Sequence, residues 1–184
     1  MITFGVSVAF NLVSNGLLAW LDLYTGFILL LLIIFLGILF DVVGVATTAA
    51  QEEPFHAMAA HRVPGAREAG WLVRHQDQVA NFTLDIVGDI VGTLSGAIGA
   101  TIVFRIASNH PGWNEALLST LVVALAAALS VGGKAYGKVF AFERRTEIVL
   151  AAGKVLHFIS RVTGLQFNNS RRRRRSGKKR GNSA

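Results

Sequence analysis

The sequence contains no cysteine, which excludes disulfides, thiolate catalysis and thiolate metal sites. It also has no lysine or arginine before Arg62. The N-terminus therefore lacks the charged region that opens a cleavable signal peptide. Against these absences stands an excess of apolar residues. They make up 52% of the 184 positions, with a mean hydropathy of +0.49, too apolar for an ordinary soluble domain of this size and indicative of a membrane protein. The formal net charge of +7 conceals a local feature: "RRRRRSGKKR" at 171–180 carries eight positive charges and no negative one. Subtracting those eight from +7 leaves −1, so the rest of the chain is nearly neutral.

Four stretches are long and apolar enough for the roughly 20 residues that a transmembrane helix needs. They are 2–20, interrupted by Asn11 and Asn15; 26–50; 79–104; and 114–133. The connection at 51–78 carries Arg62, Arg67 and Arg74, and the chain after Gly133 is strongly basic. The positive-inside rule places both in the cytoplasm. Four spans put the N-terminus there too; if 2–20 does not span, it lies outside and three spans remain. The chain is thus expected to be an all-α integral membrane protein with a cytoplasmic C-terminus, in a bacterial cytoplasmic membrane. Pro64-Gly65 breaks the 51–78 connection into two short helical pieces. Farther on, Ile148, Val149, Ala152, Val155, Leu156, Ile159 and Val162 follow helical spacing. They predict an amphipathic helix of about 20 residues lying along the inner leaflet, or alternatively packed on a soluble domain. Residues 165–184 are polar and basic, a composition expected to be disordered.

Ionisable residues inside the apolar runs are the most informative feature. Asp41 lies in the 26–50 run, Asp85 and Asp89 in "LDIVGDIVG" at 84–92, and Lys134 closes the 114–133 run. A charged group facing lipid costs at least ~2.5–3.5 kcal/mol on insertion scales, so such residues face the protein interior and pair. The topology allows all four to share one slab in the inner half of the membrane, with Lys134 as countercharge to Asp41 and Asp89. Two alternatives stay open: Asp85 can reach interfacial water, and Lys134 can snorkel to phosphate from a helix end. Gly88, Gly92, Gly96 and Ala100 form a small-xxx-small row of the kind that lets helices approach closely. Asp85 and Asp89 flank it and are expected to look inward with it.

Several other chemistries lack a required part. Ile86 occupies the first position of what would be the Gly-x-Gly-Asp motif of an intramembrane aspartyl protease, and a nearby lysine opposes the proton that such a dyad shares. One Glu-x-x-His, Glu53 to His56, falls short of the two that a carboxylate di-iron site requires. "GGK" at 132–134 lacks the Gly-x4-Gly-Lys-Ser/Thr pattern of a phosphate loop.

The order of parts resembles the membrane domain of the CorB/CorC/CNNM magnesium and cobalt transporters. An apolar helix ends "LFDVVGVATTAA", a cytoplasmic hairpin follows, then a helix with "VGDIVG", a helix ending "GGKAYGK", and a juxtamembrane helix. The resemblance divides the chain into an additional N-terminal span (1–25), a transporter-like domain (26–139), a juxtamembrane helix (140–164) and a basic tail (165–184), with no counterpart to the family's CBS domains. It implies Mg2+ as a transported or bound ion, and a homodimer. Carried over by position, Asp41 falls where the family has a serine ligand, and Gly88-Asp89 where it has Gly-Asn. Lys134 falls where it has the glutamate that is the main charged ligand, and Gly137 replaces a proline. The implied metal ligands are Asp41, Asp89 and Asp85, in a degenerate site that contains Lys134.

Two functions therefore follow as expectations: a divalent-cation transporter, not an enzyme; or a non-transporting regulatory or interaction protein whose ion site is replaced by an Asp-Lys salt bridge. The basic residues Arg171, Arg172, Arg173, Arg174, Arg175, Lys178, Lys179 and Arg180 suit anionic lipid headgroups. No aromatic residues interleave them, so a specific nucleic-acid partner is not expected.

Overall fold

The computed structural model describes residues 22–110 and 112–163. The N-terminal span expected at 2–20 and the basic tail lie outside the described residues. Every regular element within them is helical: α1 (Leu23–Ala49), α2 (Glu53–Ala60), α3 (Ala66–Arg74), α4 (Gln76–Ala80), a π-helical segment (Asn81–Ile86), α5 (Val87–Asn109), α6 (Glu115–Glu143) and α7 (Arg145–Thr163). Three helical stretches are long and apolar enough to cross a membrane: Leu23–Ala49, Gln76–Asn109 and Glu115–Glu143. The shortest has 27 residues and rises about 40 Å, more than the roughly 30 Å of a bilayer's hydrocarbon core.

The chain divides into two compact units, which over the described residues are 22–49 with 76–145, and 50–75 with 146–163. The first is a three-helix bundle. Ile38 and Val42 of α1 meet Gly133 and Gly137 of α6 in the same chain order, so these two helices run parallel. Gly26, Gly37 and Gly44 of α1 meet Ile102, Val91 and Leu84, so α5 runs antiparallel to α1. Leu30, Ile34, Ile98 and Ile102 form the buried apolar cluster between α1 and α5. Outward, Ile28, Leu31, Phe35, Phe104, Leu121 and Val131 are all exposed. An outside this rich in large apolar side chains is the reverse of a soluble fold, and hydrocarbon is the solvent that suits it. The N-terminus of α6 is capped by Asn114, whose side-chain oxygen accepts from the Ala116 and Leu117 amides at 3.0 and 3.4 Å.

The second unit is a short hairpin, α2 and α3, against α7. Pro54 opens α2, where its missing N–H costs nothing. Gly65 turns the chain at φ +80°, and a Cβ there would meet the Lys154 backbone nitrogen at 2.5 Å. Only glycine meets both demands. Phe55, Ala66, Ala69 and Val149 are fully buried.

The hairpin break at Pro64-Gly65 and the amphipathic helix fall where the sequence places them. Helix α6 extends past the 114–133 apolar run. It continues ten residues beyond Gly133, to Glu143. Glycine is a weak helix former, not a terminator, and at Gly133 its lack of a Cβ admits Ile38 of α1. Lys134 therefore sits inside a helix, not at its end.

Candidate functional site: an intramembrane carboxylate beside a lysine

The buried stripe of α1 reads Gly26, Leu30, Ile34, Gly37, Asp41, Gly44, spaced three or four apart as one helix face requires. Glycine and aspartate thus share the packed surface. At Gly37 a Cβ would lie 2.7 Å from Val91 Cγ1, and at Gly44 it would meet the Thr83 hydroxyl and, at 2.9 Å, Leu84 Cδ2. This close approach buries Asp41 to 6% exposure.

Lys134 is the charged partner that the fold brings to it. Its Nζ lies 4.0 Å from Asp41 Oδ1, with 30% of the lysine side chain exposed and 9% of the aspartate's. On the other side, a Cβ at Gly88 would sit 3.9 Å from Lys134 Nζ. The ammonium group thus lies among α1, α5 and α6, each contributing one position: Asp41, Gly88 and Lys134. Asp41 Oδ2 is buried and accepts no hydrogen bond. Two other polar residues are buried near this end of the bundle. Thr47 donates to the Val43 carbonyl at 2.7 Å and Thr83 to the Val79 carbonyl at 2.8 Å. Both hydroxyl protons are spent within their own helical segments. Higher in the bundle, the Ser95 hydroxyl is buried without a partner.

The remaining sequence candidates do not converge on this point. Asp85 is exposed and accepts a hydrogen bond from Asn81 Nδ2 at 3.2 Å. Asp89 is also exposed, and its carbonyl accepts from Thr93 at 2.8 Å. The small-residue row behaves similarly. Gly92, Gly96 and Ala100 are exposed, and a Cβ at Gly92 or Gly96 would meet nothing within 4 Å. The packed face of α5 instead carries Val91, Ile98, Gly99 and Ile102. The inward expectation for Asp85, Asp89 and that row is therefore replaced by an outward placement. The reason is that the glycines used for close α1–α5 packing belong to α1, and β-branched side chains of α5 fill them. Among the described residues no group of three or more His, Cys, Asp or Glu side chains is arranged to hold a metal ion.

Two histidines pair with glutamates, one within its own helical turn and one across the hairpin unit. His56 pairs with Glu52 at 2.9 Å, and Glu52 also meets Arg74 Nε at 3.1 Å. His157 Nδ1 lies 2.9 Å from Glu68 Oε1, tying α7 to α3.

Chemically, the buried pair offers one carboxylate and one ammonium. Mg2+ takes six oxygen ligands, commonly one or two carboxylates with retained waters. An ammonium group donates hydrogen bonds and repels a divalent ion. The arrangement therefore suits a fixed internal ion pair better than a resident Mg2+. Residues that the sequence reading missed are Gly37, Gly44, Thr47 and Thr83; the periodic row Gly37, Asp41, Gly44 was the available signal. No protein-family model, curated protein or solved structure matches this chain.

Proposed function

We propose that this integral membrane protein is a non-transporting regulatory or interaction protein with a CorB/CorC-like arrangement of helices, in which the Asp41–Lys134 pair takes the place of a bound ion. The observation that carries the proposal is the placement of Lys134 Nζ at 4.0 Å from a buried Asp41, with Asp85 and Asp89 exposed. Fixed charges of opposite sign hold α1 against α6 without needing a metal. In this reading the chain adds a fourth span at 2–20, keeps its C-terminus in the cytoplasm, and forms a homodimer in a bacterial cytoplasmic membrane. The exposed row of Gly92, Gly96 and Ala100 on α5 supplies a surface that a neighbouring helix can approach closely.

The test is magnesium flux into proteoliposomes containing the wild type, Lys134→Glu and Asp41→Asn. The proposal expects no flux from wild-type protein shown to be folded. Flux from wild type that Asp41→Asn abolishes would overturn it. A second reading, divalent-cation transport with Mg2+ or cobalt at Asp41, draws on one observation: the buried, unpartnered Oδ2 of Asp41. Flux from Lys134→Glu alone would mean that the lysine plugs a surviving pathway.

A further inference from the structure

The apolar face of α7 is wider than the surface it buries. One side packs on α3: Val149 is fully buried, and a Cβ on Gly153 would meet the Gly65 carbonyl oxygen and, at 2.8 Å, the Ala69 nitrogen. The Glu68–His157 contact at 2.9 Å closes the same side. A second side is uncovered. Val155 is 60% exposed, Phe158 68%, Ile159 43% and Val162 71%. Their spacing of i, i+3, i+4 and i+7 makes them one stripe. Lys154 and Arg161, both exposed, lie seven apart along one edge of it. Glu147 shares that edge, but it is already engaged in an interaction of its own.

We propose that this stripe is a docking surface for an anionic phospholipid bilayer. Two features select that partner. First, α7 starts at Arg145, two residues after the membrane-length α6 ends at Glu143, so its first turn is tethered where such a surface begins. Second, Lys154 and Arg161 flank the stripe beyond the engaged Glu147, and eight more cationic residues follow at 171–180 with no acid among them. An apolar stripe alone, like a single lipid chain, anchors weakly; a stripe with a polybasic segment supplies the two signals that stable interfacial binding requires. Because α3 is packed directly on α7, anionic lipid would set the position of the hairpin as well as the helix. The inference rests on membrane integration alone and not on the Asp41–Lys134 pair.

The absence of native cysteine makes the test direct. Single cysteines at Val155, Phe158 and Val162 carry a nitroxide in the full chain, reconstituted in nanodiscs of phosphatidylcholine with or without phosphatidylglycerol. Leu121→Cys on exposed α6 is the lipid control, and Arg67→Cys on exposed α3 the water control. Accessibility to oxygen against a nickel chelate reads depth. With phosphatidylglycerol, the three α7 labels are expected about 5–10 Å below the headgroup surface, and without it they are expected in water. Lys154→Gln with Arg161→Gln is expected to lower the docked-to-undocked ratio about thirtyfold. Labels that read water in both lipids, while Leu121→Cys reads hydrocarbon, would overturn docking but leave membrane integration standing. Equal depth in both lipids would overturn the anionic requirement. Dipolar broadening at Phe158→Cys would show that a second copy covers the face, and would also overturn the proposal.

Discussion

Replacing Lys134 with methionine removes the cation beside Asp41 while keeping most of the apolar stem. Two unit charges 4.0 Å apart interact by about 4 kcal/mol at an effective dielectric constant of 20. Removing one partner of a buried pair typically costs ~3–5 kcal/mol, because the survivor keeps its desolvation penalty. Lys134 is 30% exposed, so water screens part of this, and the expected loss falls to about 2–3 kcal/mol. For a chain of this length that lowers the thermal midpoint by roughly 4–12 °C. The assay is thermal unfolding in mild detergent of the wild type, Lys134→Met, Asp41→Asn and the double variant. Once Asp41 is neutral, the lysine change loses most of its effect, giving a coupling of about 2 kcal/mol. If the two single effects add within ~0.5 kcal/mol, the residues do not stabilise each other and the reasoning fails.

The glycines separate into two classes that mutation should distinguish. Gly153→Ala would push a methyl group into the Gly65 carbonyl and the Ala69 backbone. A loss of about 1–3 kcal/mol is expected, seen as faster proteolysis in the 50–75 hairpin. Gly65→Ala adds the strain of φ +80° to a backbone clash and should be at least as damaging in the same assay. Gly92→Ala meets nothing within 4 Å inside its own chain but lies on the row proposed to face a neighbouring helix, so it should shift the protein from dimer toward monomer in detergent without lowering the stability of the single chain. Asn114→Ala removes the cap of α6 and should cost about 1 kcal/mol, measured by thermal unfolding. Glu68→Gln loses a half-exposed contact to His157 and should cost under ~1 kcal/mol; a larger loss in thermal unfolding would mark that contact as a main anchor of α7.

Much of the bundle was legible because long apolar runs have few alternatives in lipid. The 26–50 run became Leu23–Ala49, and the Pro64-Gly65 break became the α2–α3 turn. Asp41 and Lys134 were readable as partners because an isolated charge in each run demanded one. The orientation of α5 was not readable. The π-helical segment at Asn81–Ile86 spaces residues more widely than 3.6 per turn, so faces projected across it lose phase. Asp85 lies inside that segment, and Asp89 just beyond it. Small residues also signal packing without naming the helix that uses them. The row at 88–100 is visible to the eye, but the fold packs on the sparser glycines of α1. In α7, periodicity found one apolar face, and only the packed structure shows that it divides between the hairpin and an outer stripe including Phe158.

The most direct test of the Asp41–Lys134 assignment is a dipolar-coupling measurement on selectively 15N- and 13C-labelled protein in lipid bilayers. It would observe the Lys134 Nζ to Asp41 Cγ coupling, with the His157 Nδ1 to Glu68 carboxylate contact at 2.9 Å as the internal reference. A coupling for Lys134 and Asp41 that Asp41→Asn weakens is the predicted result. A clear reference coupling with none between Lys134 and Asp41 would contradict the account, and would place the lysine at the membrane surface instead.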